Sequence, residues 1–274
     1  MTRTTLRVIL GAVCVATVSV AAHAESEWAS RSQLGYALAR GNTDSDNGNL
    51  RFDIAHLYNH WIEAFGVDGL YGKTNGIGTA QRLDGHLQVD YKFTDSAFWF
   101  GKLEYQDDRY SGFQYQASAA TGLGRIFLQS DTDKLTAQLG IGVRRLRPEQ
   151  VIRDDTGAVL DRIPGESSED TVAAGAVTCE HDFNTSTKLL ESLSVESGRA
   201  NTLVKNNLGI QVKMSTSLAL AISYSYIRNS SPPPTTVLSK TDQLTTVNLV
   251  YEIKNDKVPA MPVALLDHQL NSAN

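Results

Sequence analysis

Residues 218–226 read Leu218-Ala219-Leu220-Ala221-Ile222-Ser223-Tyr224-Ser225-Tyr226, with large apolar or aromatic residues at even positions and Ala or Ser at odd ones. Successive side chains of a β-strand point to opposite sides, so this stretch predicts a strand with one apolar face and one small or polar face. Residues 83–93 repeat the pattern, because their even positions from Asp84 to Lys92 are all polar. Helical spacing fits both stretches poorly, since residues at i, i+2 and i+4 would be scattered around the helix axis.

Turn clusters divide the chain between Trp28 and Lys254 into about twelve such candidate strands. They include Trp61–Lys73, Thr79–Phe93, Ser217–Ser230 and Thr241–Lys254. The connections alternate between tight ones, such as Asn59-His60, and longer ones, of which Pro148–Ser168 and Ser231–Lys240 are the longest. Alternating tight and long connections are typical of up-and-down barrels in the outer membrane. We therefore predict an all-β fold: a single antiparallel up-and-down transmembrane β-barrel of about 12 strands over residues 25–254.

A soluble β-sandwich or lipocalin-like barrel is the structural alternative, because alternation also occurs there with the apolar face turned inward. The candidate strands are 10 to 15 residues long. Globular strands are usually about five to six residues, whereas a tilted membrane strand needs about 9–11. Strand length therefore favours the membrane barrel.

The first 24 residues have the three parts of a secretory signal peptide. Arg3 and Arg7 form a positive start, Val8–Val20 is apolar, and Ala22-His23-Ala24 fits a cleavage site. We expect a cleaved signal peptide at 1–24, a barrel that begins in the periplasm, and a C-terminal periplasmic tail at 255–274. The expected location is the outer membrane of a Gram-negative cell.

Removal of the signal peptide would leave an acidic chain with one cysteine, Cys179. The formal charge changes from -5 to -7, because two of the 25 basic residues leave and all 30 acidic ones stay. An acidic chain without basic patches is a poor candidate for binding nucleic acid. Neither a Gly-rich phosphate loop nor a metal-ligand cluster stands out, so we expect no cofactor.

The alternation assigns faces to individual residues. Leu139, Ile141 and Ile222 are expected to meet lipid. Candidate lumen-facing polar residues are Asp84, His86, Asp90, Arg144, Lys213, Asn248 and Glu252. Because barrels of about eight strands are filled by side chains and those of 16–18 hold a channel, twelve strands allow either state.

Three functions are compatible with such a barrel. One is a structural role in the envelope with a hydrogen-bonded polar interior, and another is a narrow, porin-like pore for small solutes or ions. The third is a lipid-modifying enzyme with a Ser/His pair at the rim, for which His56, His60, His86, His181 and His268 are the candidate bases. No G-x-S-x-G motif is present, so no catalytic residue is assigned.

Four short motifs, taken in order, resemble the YdiY-like salt-induced outer-membrane protein family. They are Gly41-Asn42-Thr43-Asp44, Asp108-Arg109-Tyr110-Ser111-Gly112-Phe113, Gly122-Leu123-Gly124-Arg125, and Lys240-Thr241-Asp242 leading to Asn248-Leu249-Val250-Tyr251. This is a Gram-negative outer-membrane family defined as a domain of unknown function. The resemblance implies an outer-membrane location and a barrel architecture, and it supplies no catalytic residues.

The expected partners follow from the expected location in the outer membrane. They are outer-membrane lipid, lipopolysaccharide and the barrel-assembly machinery. The chain departs in one respect from outer-membrane barrels, which commonly finish on an aromatic residue. Here the last candidate strand is followed by 20 residues that include Pro259 and Pro262. An assembly signal would then lie at an internal position, near Tyr251 and Ile253.

Overall fold

A computed structural model describes residues 27–39, 45–109, 111–154, 159–199, 201–231 and 240–253. The expected signal peptide, the expected tail and the centres of the first connection and of the Ser231–Lys240 connection lie outside these ranges. Within the described ranges, no helix is long and apolar enough to cross a membrane.

The described residues form thirteen antiparallel strands. Their bounds are β1 Glu27–Ala39, β2 Ser45–Tyr58, β3 Trp61–Thr74, β4 Ile77–Lys92, β5 Ala97–Asp108, β6 Phe113–Gln129, β7 Asp133–Arg153, β8 Val159–Pro164, β9 Ser168–Asp182, β10 Thr187–Ser197, β11 Thr202–Lys213, β12 Leu218–Asn229 and β13 Thr241–Ile253.

Twelve of these strands close into a barrel. Each strand pairs with its neighbour in sequence, β7 pairs with β9, and β1 pairs with β13, with Ser30 opposite Ile253 and Gly35 opposite Asn248. β8 stands outside the ring because it pairs only with the end of β7. Closure gives every barrel strand a paired neighbour on both sides and confirms the predicted all-β barrel of about 12 strands.

The two ends of the barrel differ. The end that carries the Asn59-His60 turn, together with the start of β1 and the finish of β13, is called the turn end below. The opposite end carries the hairpin formed by β7 and β8 and is called the hairpin end.

The predicted strict alternation of tight and long connections is wrong at the hairpin end. β3 and β4 are joined by Asn75 and Gly76 alone, with φ angles of 50° and 81°. Positive φ at both central residues is the geometry of a two-residue type I′ turn, which matches the twist of paired strands. The Pro148–Ser168 connection is also more ordered than predicted, because β7 runs on to Arg153 and folds back as β8.

Apolar side chains cover the outside of the barrel. Leu139 and Ile141 of β7 are 72% and 68% exposed, and Ile222 of β12 is 53% exposed, whereas Ser223 beside it is buried. Aromatic side chains gather at the turn end of β1 to β4, where Trp28 stacks on His56 with ring centroids 4.2 Å apart and Trp61 lies 4.8 Å from Tyr91. An apolar band with an aromatic girdle is the surface that a bilayer solvates.

Candidate functional site: the barrel lumen

Most of the polar positions of the alternating strands face the lumen. Asp84, His86, Asp90, Arg144 and Asn248 are buried there. Glu252 is half-buried, and Lys213 is exposed at the turn end, where it lines the mouth of the lumen. The structure distributes these seven residues among several separate groups and does not bring them into one centre.

The middle of the lumen is crossed by charged side chains from opposite walls. Lys205 of β11 places its Nζ 3.3 Å from an Oε of Glu104 on β5, and these strands lie five places apart around the ring on the shorter way. The other Oε of Glu104 is 2.5 Å from the Nζ of Lys102 on the same strand. One carboxylate therefore holds two ammonium groups, one from each wall.

A second crossing lies beside the first. The Ser118 hydroxyl on β6 donates to Glu196 on β10 at 3.1 Å, and Arg144 on β7 approaches the other oxygen of Glu196 at 3.7 Å. Arg144 also donates to the carbonyl of Asn201 at 3.0 Å. The two crossings connect separate parts of the lumen wall at this level.

The space left at these crossings is small. A cavity of about 20 Å³ remains, lined by Asp84, Glu104, Gln116, Arg144, Glu196 and Lys205 among others. A water molecule needs roughly 10–15 Å³ measured in this way. This cavity therefore has room for about one water molecule.

Nearer the hairpin end, Arg82 forms an ion pair with Asp84 on the same strand, and Asp68 lies opposite Asp84 in the β3–β4 register. On the neighbouring strand β2, Arg51 donates to both oxygens of Asp53 at 2.6 and 2.8 Å.

The predicted lumen residue His86 is held by a partner from a strand two places away. Its Nε2 lies 3.7 Å from Asp53 Oδ1, and both side chains are fully buried. Gly66 of β3 lies between them in register and leaves room for the ring, since a Cβ there would be 2.1 Å from the ring carbon Cε1. Sequence analysis did not find this contact, because Asp53 and His86 share no strand pair.

A third group fills the lumen towards the turn end. Arg31 of β1 donates to Gln211 of β11 at 2.7 Å and lies 3.2 Å from Glu252 of β13. Asp90, near the turn end of β4, accepts a 2.7 Å hydrogen bond from Gln88 of the same strand. Beyond this group the lumen opens into a polar mouth cavity of about 110 Å³, lined by Lys188, Lys213 and the β9–β10 and β11–β12 turns.

Sequence analysis also missed two lumen residues that make contacts between strands, Lys205 and Arg31. A partial signal was present on β11, because Lys205, Asn207 and Gln211 share one face of the strand, although Asn206 interrupts the apolar row on the other face. What the sequence lacks is the pairing across the lumen, which depends on barrel width and strand register.

The turn end contains a Ser/Asp/His group at the rim, next to the β6–β7 turn. His181 Nδ1 lies 2.7 Å from one oxygen of Asp133, and the hydroxyls of Thr132 and Ser130 contact the other oxygen at 2.7 and 3.3 Å. Hydrogen bonds from Thr132 and then His181 lower the pKa of Asp133. A nucleophilic Ser must donate to the imidazole, whereas Ser130 contacts the carboxylate, so this arrangement is not a catalytic triad.

Metal binding has no support within the described ranges. They contain no group of three or more His, Cys, Asp and Glu side chains that could hold a metal ion.

The polarity of the molecule is the reverse of that of a soluble protein. Charged and polar side chains fill the interior, and large apolar side chains form the outer surface. This arrangement, on a sheet without free edges, defines a transmembrane β-barrel.

The particular family follows from the sequence itself. The family described as "Protein of unknown function, DUF481" matches residues 32–253, and the chain belongs to it. This match confirms the resemblance to a domain of unknown function; the salt-induced character of that resemblance stays a prediction. No curated protein matches the chain significantly.

Several solved barrels are similar in shape. The β-domain of the Bordetella autotransporter BrkA is 12% identical, with 83% of this chain and 98% of that chain covered and a TM-score of 0.40. The translocator domain of the autotransporter NalP from Neisseria meningitidis is 11% identical, with 82% and 86% covered and a TM-score of 0.40. The KdgM porin is 10% identical, with 82% and 98% covered and a TM-score of 0.39. At these values the likeness does not extend to function, and the fold rests on the strand pairing described above.

Proposed function

We propose that this protein is an outer-membrane barrel with a closed lumen and a structural role in the envelope. The observation that carries the proposal is the pair of crossings, Glu104 with Lys205 and Ser118 with Glu196, which leave space for about one water molecule. A barrel closed in this way holds its walls together and does not act as a general diffusion pore.

The location is part of the proposal. It is supported by the signal-like residues 1–24 and by the apolar outer band with its girdle. With the chain starting in the periplasm, the turn end faces the periplasm and the β7–β8 hairpin faces outward. All five connections at the turn end have two to four residues, whereas the longest connections lie at the hairpin end, and this fits a periplasmic turn end.

Conductance across a planar bilayer tests the closed lumen. The wild-type protein should carry no steady current at any voltage, whereas the double variant Lys205→Ala/Glu196→Ala, which removes one partner from each crossing, should conduct. Lys73→Ala, on the outer surface, is the matched control and should stay silent. Heat-modifiable mobility on a gel checks that each variant is folded.

Steady current from the wild-type barrel would overturn the closed-lumen proposal. Silence in the folded double variant would show that the two crossings are not what seals the lumen. Loss of envelope robustness when the gene is deleted is the expected cellular result, and an envelope that withstands detergent as before would count against a structural role.

A narrow pore is the second candidate, and one observation favours it. The crossings consist of side chains, so rotation of Lys205 away from Glu104 would widen the lumen without moving any backbone. Brief voltage-dependent openings of the wild-type protein, lengthened in Lys205→Ala, would support this pore over the permanently closed barrel.

A further inference from the structure

The outer surface of β10 and β11 carries a carboxylate where a membrane barrel should be apolar. Glu191 is exposed on the lipid-facing side of β10, between Leu189 and Leu193. Its register neighbours on the adjacent strands are Cys179 and Leu208. Glu191 is thus surrounded by apolar side chains and a thiol.

The depth of Glu191 makes it unusual. Other charged residues on this surface, such as Lys73, Asp107 and Arg145, lie near the hairpin end. Glu191 is the fifth residue of the eleven in β10, so it lies near mid-depth. An ionisable side chain at that depth in a bilayer is costly unless a partner covers it, and it marks a functional site by default.

Among the described residues, Glu191 has one weak hydrogen-bond partner. Asn206 of β11, on the same surface, donates to Glu191 Oε1 at 3.5 Å, which is the long limit of a hydrogen bond, and to the carbonyl of Ser192 at 3.2 Å. A carboxylate has about four acceptor sites, so Glu191 retains most of its capacity. The patch formed by Cys179, Glu191 and Asn206 therefore presents acceptor sites on Glu191, and Asn206 can donate to a second molecule in exchange for its long bond to Glu191.

We propose that a second copy of this chain covers this patch and forms a two-fold dimer within the membrane. A two-fold interface is self-complementary, so Glu191 of each copy would accept from Asn206 of the other without any added cation. Further along β9 towards the hairpin end, the outward residues Gly175 and Ala173 are small and allow close approach of a second copy. Small residues and hydrogen-bonding side chains both occur at contacts between membrane helices.

This inference rests on the proposed membrane location and is independent of whether the lumen conducts. It is tested by energy transfer between donor- and acceptor-labelled copies in dimyristoyl phosphatidylcholine vesicles, as the protein-to-lipid ratio is lowered. The label is attached at position 185 in the exposed β9–β10 turn, where Thr185 is replaced by an azide-bearing amino acid, so that Cys179 of the patch stays intact. Glu191→Leu and Asn206→Leu are the test variants. Glu63→Leu is the matched control, because Glu63 also faces outward but lies in the girdle beside His56.

The expected result is transfer that persists on dilution for the wild-type chain and for Glu63→Leu. The dissociation midpoint should move at least about tenfold to higher protein-to-lipid ratio for either patch variant. Native mass spectrometry should give twice the mass of the chain.

Three outcomes would overturn the dimer. They are wild-type transfer no higher than random proximity produces, identical midpoints for Glu191→Leu and Glu63→Leu, or a complex of any other mass. Failure of the chain to insert into vesicles would refute both the proposed membrane location and the dimer. Insertion as a monomer would refute the dimer and leave the membrane location standing.

Discussion

Gly66→Ala should destabilise the barrel although it adds only one methyl group. The new Cβ would lie 2.1 Å from His86 Cε1, 2.3 Å from His86 Nε2 and 2.4 Å from Asp53 Oδ1. Real Cβ atoms do not approach other heavy atoms this closely, so His86 or Asp53 must move. Neither can move freely, because both are fully buried and Arg51 holds Asp53 through two hydrogen bonds.

The expected cost is that of overpacking a well-packed interior, about 1–3 kcal/mol. A displaced Asp53 would also lose part of its bonding to Arg51, which places the expected value in the upper half of that range. A gain of about 0.5–1 kcal/mol from replacing a flexible Gly within a strand works in the opposite direction.

Gly85→Ala is the matched control, because it is a strand glycine on the opposite face with no atom within 4 Å of its added Cβ. Urea unfolding of both variants in lipid vesicles, followed by tryptophan fluorescence, gives the two free energies. Gly85→Ala should be neutral or stabilising and Gly66→Ala clearly destabilising. Equal free energies of unfolding would refute the claim that the lumen is tightly packed around His86.

Three further predictions concern the surface and the ends of the chain. Ile222→Arg, at mid-depth on the lipid face, should lower the free energy of unfolding by about 2–4 kcal/mol in the same assay. Gln243→Arg, near the hairpin end of the same face, should lower it by only about 0–1 kcal/mol. Deletion of residues 256–274 should leave heat-modifiable mobility intact if the assembly signal is internal. Because the pKa of Asp133 is lowered in the folded state, its contribution is present above its unfolded pKa of about 3.9. That contribution should disappear as pH falls through the lower folded value, so Asp133→Asn should lessen the loss of stability in acid.

Strand positions were largely predictable from the sequence because lipid outside and polar groups inside impose a period of two on every strand. β12 was predicted at Ser217–Ser230 and runs over Leu218–Asn229, and β13 was predicted at Thr241–Lys254 and ends at Ile253. The outward faces of Leu139, Ile141 and Ile222 follow from the same rule.

The connections at the hairpin end were predicted less well. The prediction placed a longer connection between Lys73 and Thr79, where pairing continues almost to the Asn75-Gly76 turn. The β7–β8 hairpin lies beyond the barrel wall, and its exposed Leu160 and Ile163 follow no rule set by a bilayer.

The sequence by itself determined the class of fold, the two faces of each strand and the polar character of the lumen, because these depend on side-chain alternation within single strands. Only the tertiary structure decided which side chains meet across the lumen. Lys205 meets Glu104 through the width of a twelve-strand ring, and His86 meets Asp53 through the gap that Gly66 leaves. Both contacts join strands that are not neighbours, so they depend on register and barrel diameter, which no local pattern of residues specifies.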